Sequence, residues 1–109
     1  MATGKLARAV ISSASTNTTV YTVPAGFYSV VNLMVVNSNG QPVNARIAIT
    51  NQTGNPLNSE YIEYGVTIPG VNGVLERTAL VCSAGEKIVV WAGVANALSV
   101  RINGYEETI

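Results

Sequence analysis

Gly73-Val74-Leu75-Glu76-Arg77-Thr78-Ala79-Leu80-Val81-Cys82, then Ser83-Ala84-Gly85-Glu86, then Lys87-Ile88-Val89-Val90-Trp91-Ala92 organises this chain. It reads as two β-strands joined by a tight turn, a hairpin. Gly85 supplies the positive φ such a turn needs, and Ser83 can hydrogen-bond its own backbone. Ile88, Val89, Val90 and Trp91 are β-branched and then aromatic, a composition that suits a pleated, buried surface. Nothing in this stretch performs chemistry.

Upstream, Val23-Pro24-Ala25-Gly26-Phe27-Tyr28-Ser29-Val30-Val31 repeats the pattern of Cys82–Val90: strand, Ala-Gly turn, strand. Two copies of one hairpin suit a sandwich of related halves. Phe27 to Asn37 is the longest strand. Val31, Leu33 and Val35 point one way; Val30, Met34 and Val36 point the other, broken only by Asn32. A strand apolar on both faces is covered on both sides, so its outer face implies a neighbouring subunit or a wrapped loop. Leu6 to Ser12 and Val20 to Val23 are earlier strands. Asn39-Gly40 is a hairpin signal, after which Val43, Ala45, Ile47 and Ile49 alternate cleanly with more polar residues. Glu60 to Tyr64 alternates again, Gly65 to Gly73 is a loop, and Ala97 to Asn103 is the last strand, with Leu98, Val100 and Ile102 inward. The loops Ser38 to Pro42 and Asn51 to Ser59 suit solvent, or draping over a neighbour. About eight short strands between turn signals predict an all-β antiparallel sandwich, jelly-roll-like. It forms a single domain over residues 1–109, with a flexible segment at 1–5 and a tail at 104–109.

The 109 residues are 48% hydrophobic and only 11% charged, against about 25% charged in an ordinary soluble domain. Six basic and six acidic residues cancel. So neutral a surface favours self-association. The scattered cations form no nucleic-acid stripe and no polybasic membrane anchor. No apolar run is long enough to span a bilayer, and the N-terminus lacks a signal-peptide core. Synthesis in a cytoplasm is expected.

The chain contains no His and no Asp, which removes Ser-His-Asp and Cys-His catalysis. Glu76 and Arg77 are the most site-like pair, yet adjacent strand residues point to opposite faces. One therefore meets solvent, and the other makes an ion pair across strands or subunits. Glu60 and Glu63, three apart, also face opposite ways. Cys82, the single cysteine, has Val81 and Ser83 beside it and reads as an inert buried thiol. Glu106-Glu107 supplies too few oxygens for calcium; no metal and no cofactor are expected. Trp91 with Tyr21, Tyr28, Tyr61, Tyr64 and Tyr105 could line a sugar-binding surface. The single tryptophan favours core and interface packing of those rings instead. The candidate subunit-interface residues are Val30, Met34, Val36, Glu76 and Arg77.

Tyr21-Thr22-Val23-Pro24-Ala25-Gly26, Val30-Val31-Asn32-Leu33 and Asn37 resemble small virion structural proteins of tailed bacteriophages, cyanophages in particular. Gly73-Val74-Leu75-Glu76-Arg77-Thr78, Ser83-Ala84-Gly85-Glu86 and Ser99-Val100-Arg101-Ile102-Asn103-Gly104-Tyr105-Glu106-Glu107 are similar to that group's C-terminal half. The resemblance spans roughly residues 18 to 107. It implies a non-enzymatic β-sandwich displayed on the virion, oligomeric and most often trimeric. Its expected role is capsid decoration or cement, bound to the major capsid protein. A tail, baseplate or fibre-attachment component is the alternative, and a carbohydrate-binding module for host-surface recognition is the alternative from another class.

Overall fold

The structure, a computed structural model, describes residues 3–71 and 73–109. The described residues form eight strands, β1 (Thr3–Val10), β2 (Asn17–Thr22), β3 (Phe27–Asn37), β4 (Val43–Thr50), β5 (Tyr61–Ile68), β6 (Gly73–Cys82), β7 (Lys87–Ala92) and β8 (Leu98–Thr108), with one 3-10 turn at Asn58–Glu60. Pairing is nested. β1 pairs with β8, β2 with β7, β3 with β6 and β4 with β5, all antiparallel. The chain is thus one long hairpin with its tip between β4 and β5. Rolling it up adds β3 to β8 and β4 to β7. Two four-stranded sheets result, β1-β8-β3-β6 and β2-β7-β4-β5, which is jelly-roll order. Between them lies one core in which Ile11, Leu33, Ile47, Ile88, Leu98 and Ile102 are sealed from solvent.

The expected hairpin at Gly73–Ala92 is not one. β6 and β7 lie in different sheets, and so do β2 and β3. The reason is the turn type. Gly26 (φ 83°) and Gly85 (φ 81°) occupy the third turn position, with Phe27 N donating to Pro24 O and Glu86 N to Ser83 O. Positive φ at that position alone is type II geometry, whose twist splays flanking strands instead of pairing them. Each Ala-Gly turn is therefore a corner carrying the chain from one sheet to the other. The two corners lie side by side, joined by Val23 N to Glu86 O and Gly85 N to Val23 O. The internal repeat is real, but the repeated unit is a corner.

Asn39-Gly40 is a crossing as well, since neither residue takes the positive φ of a type I′ turn. Only the β4–β5 connection stays within one sheet. The expected tail at 104–109 is the second half of β8, whose register with β3 runs to Phe27–Thr108. Gly104 makes this possible: a Cβ there would stand 2.1 Å from Val30 O. β1 begins at Thr3, so residues 3–5 of the expected flexible segment are paired strand, while residues 1 and 2 lie outside those described. β5 continues to Ile68 through what reads as loop, passing a bulge at Gly65 (φ 76°).

Candidate functional site

Two outer sheet faces and one buried polar cluster hold the residues of interest. On β1-β8-β3-β6, register alignment sets Arg8, Arg101, Met34 and Glu76 in one row across the four strands. The next row is Val10, Ser99, Val36 and Val74. Beyond a polar step at Asn103 and Asn32 come Tyr105, Val30 and Val81. Val10, Val74 and Val81 are 54%, 48% and 66% exposed. Val30, Met34, Val36 and Glu76 thus share one face, with no loop of the described chain folded across it. Asn32 interrupts it for a local reason. β6 carries a bulge opposite Asn32, where Ala79 takes φ 56°, and the Asn32 carboxamide oxygen accepts the Ala79 N–H that the bulge frees.

Arg77 leaves that face. It sits inward on the edge strand β6 and pairs with Glu63 on β5, the edge of the other sheet. This is the ion pair expected of one member of the dipeptide, made within the chain. It closes the open side of the sandwich, and with Arg77 40% exposed it adds at most about 1 kcal/mol.

Trp91 and the five tyrosines divide. Tyr21 is in the core, its hydroxyl donating to Glu106 Oε2 at 2.7 Å; burial and that carboxylate push its pKa up to about 12. Tyr28 and Tyr105 belong to the face just described. Trp91, Tyr61 and Tyr64 converge on the outer face of β2-β7-β4-β5, where Asn17, Trp91, Arg46 and Tyr64 form one row. The Arg46 guanidinium is stacked between two rings, 4.2 Å from the Trp91 centroid and 4.4 Å from that of Tyr64. Tyr61 meets Tyr64 edge-on at 4.9 Å. Residues three apart on a regular strand face opposite ways. A bulge at Ile62 corrects the parity, and the Gly65 bulge brings Tyr64 opposite Arg46.

The loop Asn51–Ser59, expected to face solvent or drape over a neighbour, is exposed at most positions, and its other side lies over this sheet of its own chain. Ala48 and Val89 face outward yet are buried, and neither belongs to the inter-sheet core. Glu60 fastens the loop by accepting from Thr50 Oγ1 and Leu57 N, both at 2.7 Å; the Thr50 hydroxyl, then the Leu57 N–H, hold its carboxyl below the usual range. Lys87 Nζ donates to Gln52 O, and Asn17 Nδ2 to Asn55 Oδ1. Loop and sheet enclose an open groove of about 480 Å³ lined by Ser15, Thr16, Asn17, Asn55, Asn58 and the Arg46 cluster. Arg46 is its only charged lining residue among the described residues. Its Nε is buried without a hydrogen-bond partner, an omission that costs about 1–3 kcal/mol. The sole salt bridge among the described residues is elsewhere. Arg46 was missed in the sequence; its only signal there is an arginine on the outward phase of a strand otherwise lined by Asn, Ala and Thr.

Cys82 is buried on the inner face of β6, and desolvation raises its pKa. Among the described residues no three Cys or Glu side chains gather to hold a metal ion. Compared with protein-family models, curated proteins and solved structures, the chain matches none of them.

Proposed function

We propose that the protein is a non-catalytic structural component of a tailed-bacteriophage virion, a capsid decoration protein that self-associates through the outer face of β1-β8-β3-β6. The observation that carries the association is the row Arg8, Arg101, Met34, Glu76. Two arginines stand directly opposite each other, an unfavourable like-charge pair. Neither they nor Glu76 have an ion-pair partner within the described residues. A second copy supplies, from the same face, a carboxylate for one of the arginines and an arginine for Glu76, with Met34, Val36 and Val74 closing between them. One surface offering both signs around an apolar centre can meet a second copy of itself, two-fold in a pair or with its opposite ends in contact around a closed ring. Three copies is the number the phage resemblance implies. The virion assignment rests on that resemblance, and the jelly roll is an architecture that capsid domains share with lectins and cupins.

Sedimentation and light scattering across a wide concentration range test the association. Wild type is expected to be oligomeric, and Met34→Lys to be monomeric with its far-ultraviolet spectrum unchanged. Glu76→Arg and Arg101→Glu should each weaken assembly and together restore it. A wild type that stays monomeric at every concentration refutes the reading. Quantitative mass spectrometry of purified particles addresses the address: decoration requires copy numbers comparable to the major capsid protein. A copy number near that of portal or tail proteins would transfer the chain to a tail, baseplate or fibre.

A further inference from the structure

We infer that the groove around Arg46 binds an acidic saccharide, a sugar ring bearing a carboxylate. Three features converge on that class. The first is charge: among the described residues Arg46 is the groove's single charged lining residue and has no carboxylate opposite it. A partly buried guanidinium without a counter-ion is a preformed anion site, and its planar fork matches a carboxylate. The second is rigidity. Trp91 and Tyr64 clamp the guanidinium on both sides, so little side-chain freedom remains to be lost on binding. The third is the lining. Asn17, Asn55 and Asn58 with Thr16 offer neutral donors and acceptors suited to hydroxyls, and the Asn17–Asn55 bond leaves each amide with unused capacity. An anion holder beside several carboxamides fits a polyhydroxylated acid better than a bare anion.

The groove is on the opposite sheet from the association face. The inference therefore does not rest on assembly, and a monomeric Met34→Lys protein should keep the site. Trp91 is the only tryptophan in the chain and stands in the groove, so its emission reports occupancy directly.

The test is a titration of the full chain with D-glucuronate, N-acetylneuraminate, glucose and acetate, following Trp91 fluorescence. At least one acidic sugar is expected to give a saturable change, with glucose and acetate each weaker by about tenfold or more, the loss of one charge-assisted contact or of the hydroxyl contacts. Arg46→Gln should lower affinity about tenfold or more, and Arg46→Lys, which keeps charge but not the fork, should fall between. Because Arg46→Gln also removes two ring contacts, Asn58→Ala on the exposed loop is the companion variant, expected to weaken the acidic sugar while leaving acetate unchanged. No saturable response to either acidic sugar overturns the inference. So does acetate binding as tightly as they do, which would mark an unspecific anion site. Undiminished sugar binding by a folded Arg46→Gln protein or by Asn58→Ala overturns it as well.

Discussion

Replacing Asn37 should cost more than its single side chain suggests. Asn37 ends β3, is 1% exposed, and ties together two inter-sheet crossings. Its Nδ2 donates to Gln41 O and Ile68 O at 3.0 Å and to Pro69 O at 3.2 Å, while Oδ1 accepts from Asn39 N at 2.9 Å. In Asn37→Ala the buried Ile68 carbonyl loses its side-chain partner, about 1–3 kcal/mol. The other three groups are partly reached by water and together add about 1 kcal/mol. The sum is about 2–4 kcal/mol, a fall in Tm of roughly 10–30 °C for a domain of this size. Asn37→Asp sharpens the test. It has nearly the same shape but sets a carboxylate against three carbonyl oxygens, so its native-state pKa must lie above the unfolded value. The native state then binds more protons than the unfolded chain. The variant is best off below about pH 4 and loses stability as pH rises through the raised pKa. Urea denaturation at pH 4 and pH 7 measures both effects. An Asn37→Ala protein within about 0.5 kcal/mol of wild type, or an Asn37→Asp protein more stable at pH 7 than at pH 4 relative to wild type, refutes the reasoning.

Four further outcomes are expected. Gly104→Ala places a methyl 2.1 Å from Val30 O in the middle of a sheet; by overpacking it should cost about 3 kcal/mol or more, read as lost soluble yield or a collapsed melting temperature. Cys82 should resist a thiol reagent in the native protein and react on unfolding, because it is enclosed and its thiolate is disfavoured; fast native labelling would contradict its burial. Tyr21 has its native pKa raised from 10.0 to about 12, so the stability it confers is complete below pH 10 and lost as pH rises towards 12. Spectrophotometric titration should show one late tyrosine that disappears in Tyr21→Phe. Glu60 has the opposite sign: with its native pKa lowered, its support of the loop is present above 4.5 and lost as pH falls through the native value. Limited proteolysis should cut Asn51–Ser59 faster in Glu60→Gln than in wild type at neutral pH.

The alternation of apolar residues determines strand faces with little help from the fold. Val31, Leu33 and Val35 are buried as their spacing predicts, and so are Leu98, Val100 and Ile102. A side chain's face follows from a period of two, and any sheet that buries one face enforces it. The opposite phase of β3, with Val30, Met34 and Val36, was legible for the same reason. The absence of His and Asp from the sequence likewise excludes chemistry that depends on them, whatever the fold.

Tertiary structure decided which sheet each strand joins, because a period of two says nothing about partners. The Pro24-Ala25-Gly26 and Ser83-Ala84-Gly85-Glu86 turns fit a hairpin or a corner until φ is known at each turn position; the positive value at glycine alone makes them corners. The groove was hidden for a sharper reason. Tyr61 and Tyr64 are on opposite faces by simple counting, and only the bulge at Ile62 reverses that parity. Arg46, Trp91 and Asn17 are distant in sequence and become neighbours through the nested β2–β7 pair and the β4–β7 pair that rolling up adds. Strand alternation is local physics, written residue by residue. Register, bulges and the lie of the Asn51–Ser59 loop are settled only when the whole roll closes, since each depends on hydrogen bonds between segments that the chain itself keeps far apart.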